Sequence, residues 1–138
     1  MDKEVVSAKI ESLRRCVQRI KEKTPASAEL LERDCDLQDI ICLNLERAIQ
    51  GCVDLASHAI ADANLAAPTT MAESFQQLAF LGLISDPLAS RMKKAVGFRN
   101  IAVHAYQRIN WKIVYTIITS RLDDFRTFAD AIARAARL

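Results

Sequence analysis

Apolar residues in this chain fall three and four apart, stretch after stretch. Val6, Ile10, Leu13, Val17 and Ile20 are the first such set, with Lys9, Arg14, Arg15, Gln18 and Lys21 set off from them. Only a helix gathers that spacing onto one face; a half-buried strand needs strict alternation. The first helix is expected to stop near Thr24-Pro25, because a residue before proline resists the helical region. Thr24 then caps a short next turn, with Pro25 at its first position. The second helix is expected from about Asp34 to Asp62, on a seam of Leu37, Ile41, Leu45, Ala48, Cys52, Leu55 and Ala59. Gly51 is a weak point in it but not a stop. After the break at Ala66-Ala67-Pro68-Thr69, the run Thr70-Met71-Ala72-Glu73 reads as a capping box, with Phe75, Leu78 and Ala79 inward.

Ser85-Asp86-Pro87 starts another helix, with Leu88, Met92, Ala95 and Val96 inward. Asn110 begins the last one, whose stripe is Ile113, Ile117, Leu122, Phe125, Phe128 and Ile132. The chain holds only 3 Gly and 3 Pro, too few for a hairpin-rich β fold. The predicted class is therefore all-α: an up-down helical bundle of four longer helices plus one or two short ones. At 138 residues it makes a single domain, 1–138. No apolar run reaches membrane-spanning length, and the start lacks a basic and then apolar leader, so a cytoplasmic protein is expected. Cys16, Cys35, Cys42 and Cys52 lie in periodic apolar stretches without metal-ligand spacing. They read as reduced core thiols, with no metal site.

The net charge of +2 hides an asymmetry. Between Pro87 and Leu122 lie Arg91, Lys93, Lys94, Arg99, Arg108, Lys112 and Arg121, with no Asp or Glu among them. A one-sign block raises the local concentration of partners of opposite sign, and RNA is such a partner. A solvated helix face or an acidic protein partner fits the same charge.

Within that block lies Gly97-Phe98-Arg99-Asn100-Ile101-Ala102-Val103-His104-Ala105-Tyr106, in a chain with two histidines and two tyrosines. Gly97 and Phe98 allow the preceding helix to bend or end. On an unbroken helix Arg99 and His104 stand ~140° apart, while Asn100 and His104 share a face. Either the helix breaks within the motif, or two copies of it converge across a subunit interface. The residue types suit RNA cleavage without metal. An imidazole takes a proton from the ribose 2′-hydroxyl or gives one to the leaving 5′-oxygen. A guanidinium fork holds the phosphate and its developing charge. Asn100 can orient either partner, and Tyr106 can meet a phosphate or a base. Taken alone, the two residue types are better accounted for by a buried histidine and a surface ion pair; the acid-free surroundings and the clustered polar groups shift that only partly.

Phe98-Arg99-Asn100-Ile101-Ala102-Val103-His104-Ala105-Tyr106 resembles the R-x-x-x-x-H-x-Y signature of the HepT toxins in the HEPN superfamily. Glu32-Arg33-Asp34 through Asn44-Leu45-Glu46-Arg47-Ala48 resembles the family's long second helix. Thr70 to Leu78, followed by Gly82-Leu83-Ile84, resembles the segment before the motif. The resemblance implies a homodimeric helical toxin, a metal-independent endoribonuclease whose two motif copies face a shared cleft. It implies Arg99 and His104 as the catalytic pair, Asn100 as a supporting group and Tyr106 as the tyrosine modified by the antitoxin. That antitoxin is a minimal nucleotidyltransferase, which adds AMP from ATP with magnesium and so places bulk and negative charge in the RNA cleft. The resemblance assigns ATP to the partner and implies no cofactor for this chain itself. One departure is Ala105, where relatives often carry an acid.

Arg91, Lys93, Lys94 and Arg108 are candidates for the RNA path. His58 reads as a structural or solvent-facing residue, and Trp111 and Tyr115 read as packing anchors. The rival function is a helical module that binds nucleotide or the nucleotidyltransferase without cutting RNA.

Overall fold

The computed structural model describes residues 1–138 and is all-helical. Helix α1 spans Lys3–Lys23, α2 Ala28–Arg33, α3 Cys35–Asp62, α4 Met71–Phe80, α5 Asp86–His104, α6 Trp111–Ser120 and α7 Asp123–Ala135. A single 3-10 turn, Tyr106–Arg108, joins α5 to α6. The long α3 is the hub: α1, α2, α4, α5 and α7 all pack on it. Its buried seam carries Ile41, Leu45, Ala48, Cys52, Leu55 and Ala59, widened by Ile49, Val53 and Ile60. Phe75 of α4 meets Phe128 of α7 edge to face, ring centroids 5.6 Å apart, both fully buried. No helix is long and apolar enough to cross a membrane.

Side chains at the helix starts take up orphan backbone donors there. Asp2 accepts from the Glu4 and Val5 amides, Asp34 from Leu37, Thr70 from Glu73, Ser85 from Leu88, and Asn110 from Lys112 and Ile113. The Glu73 carboxylate reaches back one residue further than a capping box requires, to the amide and hydroxyl of Thr69. Those hydrogen bonds hold Glu73 below the usual carboxylate range. Three turns use left-handed backbone: Asn64 (φ 59°) after α3, Gly82 (φ 76°) after α4 and Arg137 (φ 60°) after α7.

Four local expectations are corrected. Thr24 closes α1 and does not open α2: its hydroxyl donates to the Ile20 carbonyl, and the cap of α2 is Ser27. The apolar stripe from Ile113 to Ile132 is divided between α6 and α7, because the chain turns at Arg121-Leu122. That turn leaves Ile113 exposed and puts Val114 and Ile118 in the core. Cys35 is exposed at the first position of α3, whereas Cys16, Cys42 and Cys52 are buried. Helix α5 runs unbroken through Gly97 and Phe98 to His104.

Candidate functional site

The segment of interest sits on the last two turns of α5 and the 3-10 turn behind it. Helix α5 begins on the Ser85 cap, with Asp86 and Pro87 in its first turn, where a negative charge and a fixed φ suit the helix. Leu88, Ala89, Met92, Val96 and Ala102 bury its inner side. It ends at Ala105, whose amide donates to the Ile101 carbonyl at 2.8 Å before the backbone departs from helical angles (φ −148°, ψ 49°).

Because α5 is continuous, the positions of its side chains follow from 100° per residue. Arg99 projects near the core-facing side and is half-buried. Asn100 and His104 lie about 40° apart on an exposed face, and Lys93 shares that face two to three turns earlier. Arg99 Nη1 lies 3.4 Å from Asn100 Oδ1, a long and exposed contact. His104 is exposed in the last turn of α5. The structure thus brings Asn100 to the face of His104 and leaves Arg99 ~140° round the helix.

The basic candidates divide between two faces. Arg91, Lys94 and Arg108 line a cavity of about 580 Å³ between α5, the 3-10 turn, α6 and α7. Its apolar wall includes Phe98, Ile101, Ile109, Ile113 and Ile117, and Arg121 joins its basic rim. Arg91 is held there by Asp124, with Nε 3.0 and 3.1 Å from the two carboxylate oxygens. Lys93, on the other face, donates to Gln76 of α4.

Tyr106 is fixed by two contacts. Its hydroxyl donates to the Asp39 carboxylate of α3 at 2.8 Å. Its ring meets Trp111 edge to face, centroids 5.8 Å apart. Partial burial and then the Asp39 hydrogen bond push the phenol well above its ordinary range, because both disfavour a phenolate. Asp39 was not among the candidates read from the sequence. It lies 67 residues from Tyr106, and only the packing of the 3-10 turn on α3 joins them. Trp111 and Tyr115 anchor packing as expected: the Tyr115 hydroxyl donates to the Pro25 carbonyl at 3.0 Å.

The ribonuclease HepT-like family model matches residues 13–132. The mRNA nuclease HepT of Shewanella oneidensis is 38% identical over 129 residues, which cover 94% of this chain and 96% of that protein. A tri-AMPylated HEPN toxin from Shewanella oneidensis, solved in complex with MNT antitoxin, matches with a TM-score of 0.89 at 37% identity, covering 97% of this chain and 99% of that one. A toxin–antitoxin complex with AMP-PNP matches with a TM-score of 0.90 at 36% identity, over 96% of this chain and 99% of the other.

Proposed function

The chain belongs to the HepT-like ribonuclease family, and on that premise we propose that it is the toxin of a toxin–antitoxin pair, an endoribonuclease silenced when a nucleotidyltransferase antitoxin adds AMP to Tyr106. What supports the site assignment is the exposed His104 imidazole, on one face with Asn100 and in the middle of a stretch without acids. The unbroken α5 supports the second of the two arrangements, in which Arg99 and His104 act together across a homodimer, in a cleft shared by two copies.

In that cleft His104 takes the proton of a ribose 2′-hydroxyl. The freed oxygen attacks phosphorus, and the bond to the 5′-oxygen breaks. The imidazolium formed in that step gives the leaving oxygen its proton. The Arg99 guanidinium holds the non-bridging oxygens while charge builds on them. Asn100 orients the imidazole or a phosphate oxygen. No step calls on a metal. RNA approaches a helix made positive on both sides, by Lys93 on the His104 face and by Lys94 and Arg108 at the cavity rim, with Arg91 partly neutralised by Asp124. An AMP on Tyr106 adds negative charge and bulk beside this route and competes for Arg99.

The test is cleavage of total RNA by unmodified protein in excess chelator. Wild type cuts; Arg99→Ala and His104→Ala lose at least about a hundredfold in rate while remaining folded. A His104→Ala protein that cuts as fast as wild type overturns the assignment. In co-expression with the nucleotidyltransferase, intact mass should rise in AMP increments for wild type and not for Tyr106→Phe.

A further inference from the structure

An AMP transfer to tyrosine needs somewhere for the phenolic proton to go. Attack of the Tyr106 Oη on the α-phosphorus of a nucleoside triphosphate forms an Oη–Pα bond. It breaks the bond from Pα to the bridging oxygen, and pyrophosphate leaves with that electron pair. The proton must depart as the new bond forms, since a neutral ester oxygen cannot keep it.

The Tyr106 hydroxyl already donates that proton to a carboxylate oxygen of Asp39, 2.8 Å away. The titratable groups that face the phenol are Asp39, Cys42 and Cys35, all on α3. Cys42 is no rival as acceptor: burial and the nearby Glu46 push its thiol up to about 12, so it stays neutral. Cys35 is exposed at the first position of α3, a full turn before Asp39. The phenol itself is held protonated in the resting protein, so a pre-formed phenolate is scarce and proton removal has to accompany attack. The Asp39 carboxylate and the Trp111 ring together hold the phenol in place.

We propose that Asp39 is the general base for the modification of Tyr106, so that the toxin carries part of the catalytic machinery for its own silencing. This rests on the reading that Tyr106 is the AMP acceptor. The antitoxin supplies the bound nucleoside triphosphate and its magnesium; the toxin supplies an oriented nucleophile and the group that takes its proton. A carboxylate that accepts the proton of an attacking hydroxyl is a known arrangement in phosphoryl transfer.

The experiment measures the initial rate of AMP incorporation into purified full-length toxin by its purified nucleotidyltransferase with ATP and magnesium. Asp39→Asn keeps an oxygen that accepts the phenol's hydrogen bond but cannot take its proton. It should lower kcat by about a hundredfold and leave the KM for toxin nearly unchanged. Its rate should keep climbing as pH rises toward the phenol's own range, where hydroxide replaces the missing base. Asp39→Glu should recover part of the loss. Circular dichroism and complex formation with the antitoxin check that the variants are folded. An Asp39→Asn rate equal to or above wild type overturns the proposal, as does a loss confined to KM. If Tyr106→Phe is still modified, the acceptor assignment itself fails; if Tyr106→Phe is inert and Asp39→Asn is normal, only the role of Asp39 fails.

Discussion

Tyr106 meets the rest of the chain at its hydroxyl, its ring edge and its backbone, and each contact constrains a different property. The hydroxyl bond to Asp39 opposes ionisation, the contact with the Trp111 ring limits rotation, and the 3-10 turn carries the residue away from the end of α5. The ionisation effect is open to direct measurement. In a Tyr115→Phe background the absorbance titration of Tyr106 should lie above the ordinary tyrosine range. Adding Asp39→Asn should move it down, though not all the way, because partial burial remains the larger cause. A titration unmoved by Asp39→Asn would remove the hydrogen bond from the account. The same shift makes the Tyr106 contact pH-sensitive. Its contribution to stability is complete below the unfolded phenol's value of about 10 and declines as pH rises from there through the folded value. The sequence made Arg99, Asn100, His104 and Tyr106 visible because they cluster within eight residues. Asp39 had no such signal: its partner is 67 residues away, and an Asp on an exposed helix turn is ordinary.

Helix α5 shows how a capped start and an inward stripe override a local weakness. Gly97 and Phe98 suggested a bend, yet the helix continues past them, because Val96 and Ala102 are buried on either side of the pair. A glycine in a helix interior costs only about 1 kcal/mol, which two buried apolar side chains offset. Helix α3 tolerates Gly51 for the same reason, and a Cβ built there meets nothing within 4 Å. Gly51→Ala should therefore raise stability by about 0.5–1 kcal/mol in urea unfolding. Ser85→Ala should lower it by about 1 kcal/mol, since the Leu88 amide loses its acceptor. A destabilised Gly51→Ala protein would mean that this position is packed against something outside the chain. Helix periods were readable because apolar spacing reports burial directly. The division of α6 from α7 was not, because Ile113 and Ile117 keep the period while facing a cavity, and the turn at Arg121-Leu122 carries no glycine or proline.

Taken whole, the molecule presents two differently built surfaces on either side of α5: the exposed face of Asn100 and His104, and a basic-rimmed apolar cavity between α5, α6 and α7. The helical bundle around α3 is what a chain with this apolar spacing must make. What such spacing does not encode is the meeting of two copies, since contacts between protomers leave no period in one sequence. The separation of Arg99 from His104 on a continuous helix is the structural reason to look for that meeting. Complementation tests it most directly. Arg99→Ala and His104→Ala toxins, each inactive alone, are mixed, allowed to exchange subunits, and assayed for RNA cleavage in chelator. If each site takes its arginine from one copy and its histidine from the other, mixed dimers retain one intact site, and activity should recover to about a quarter of wild type. A mixture as inactive as its two components, with exchange confirmed by mass, would contradict a site shared between two copies.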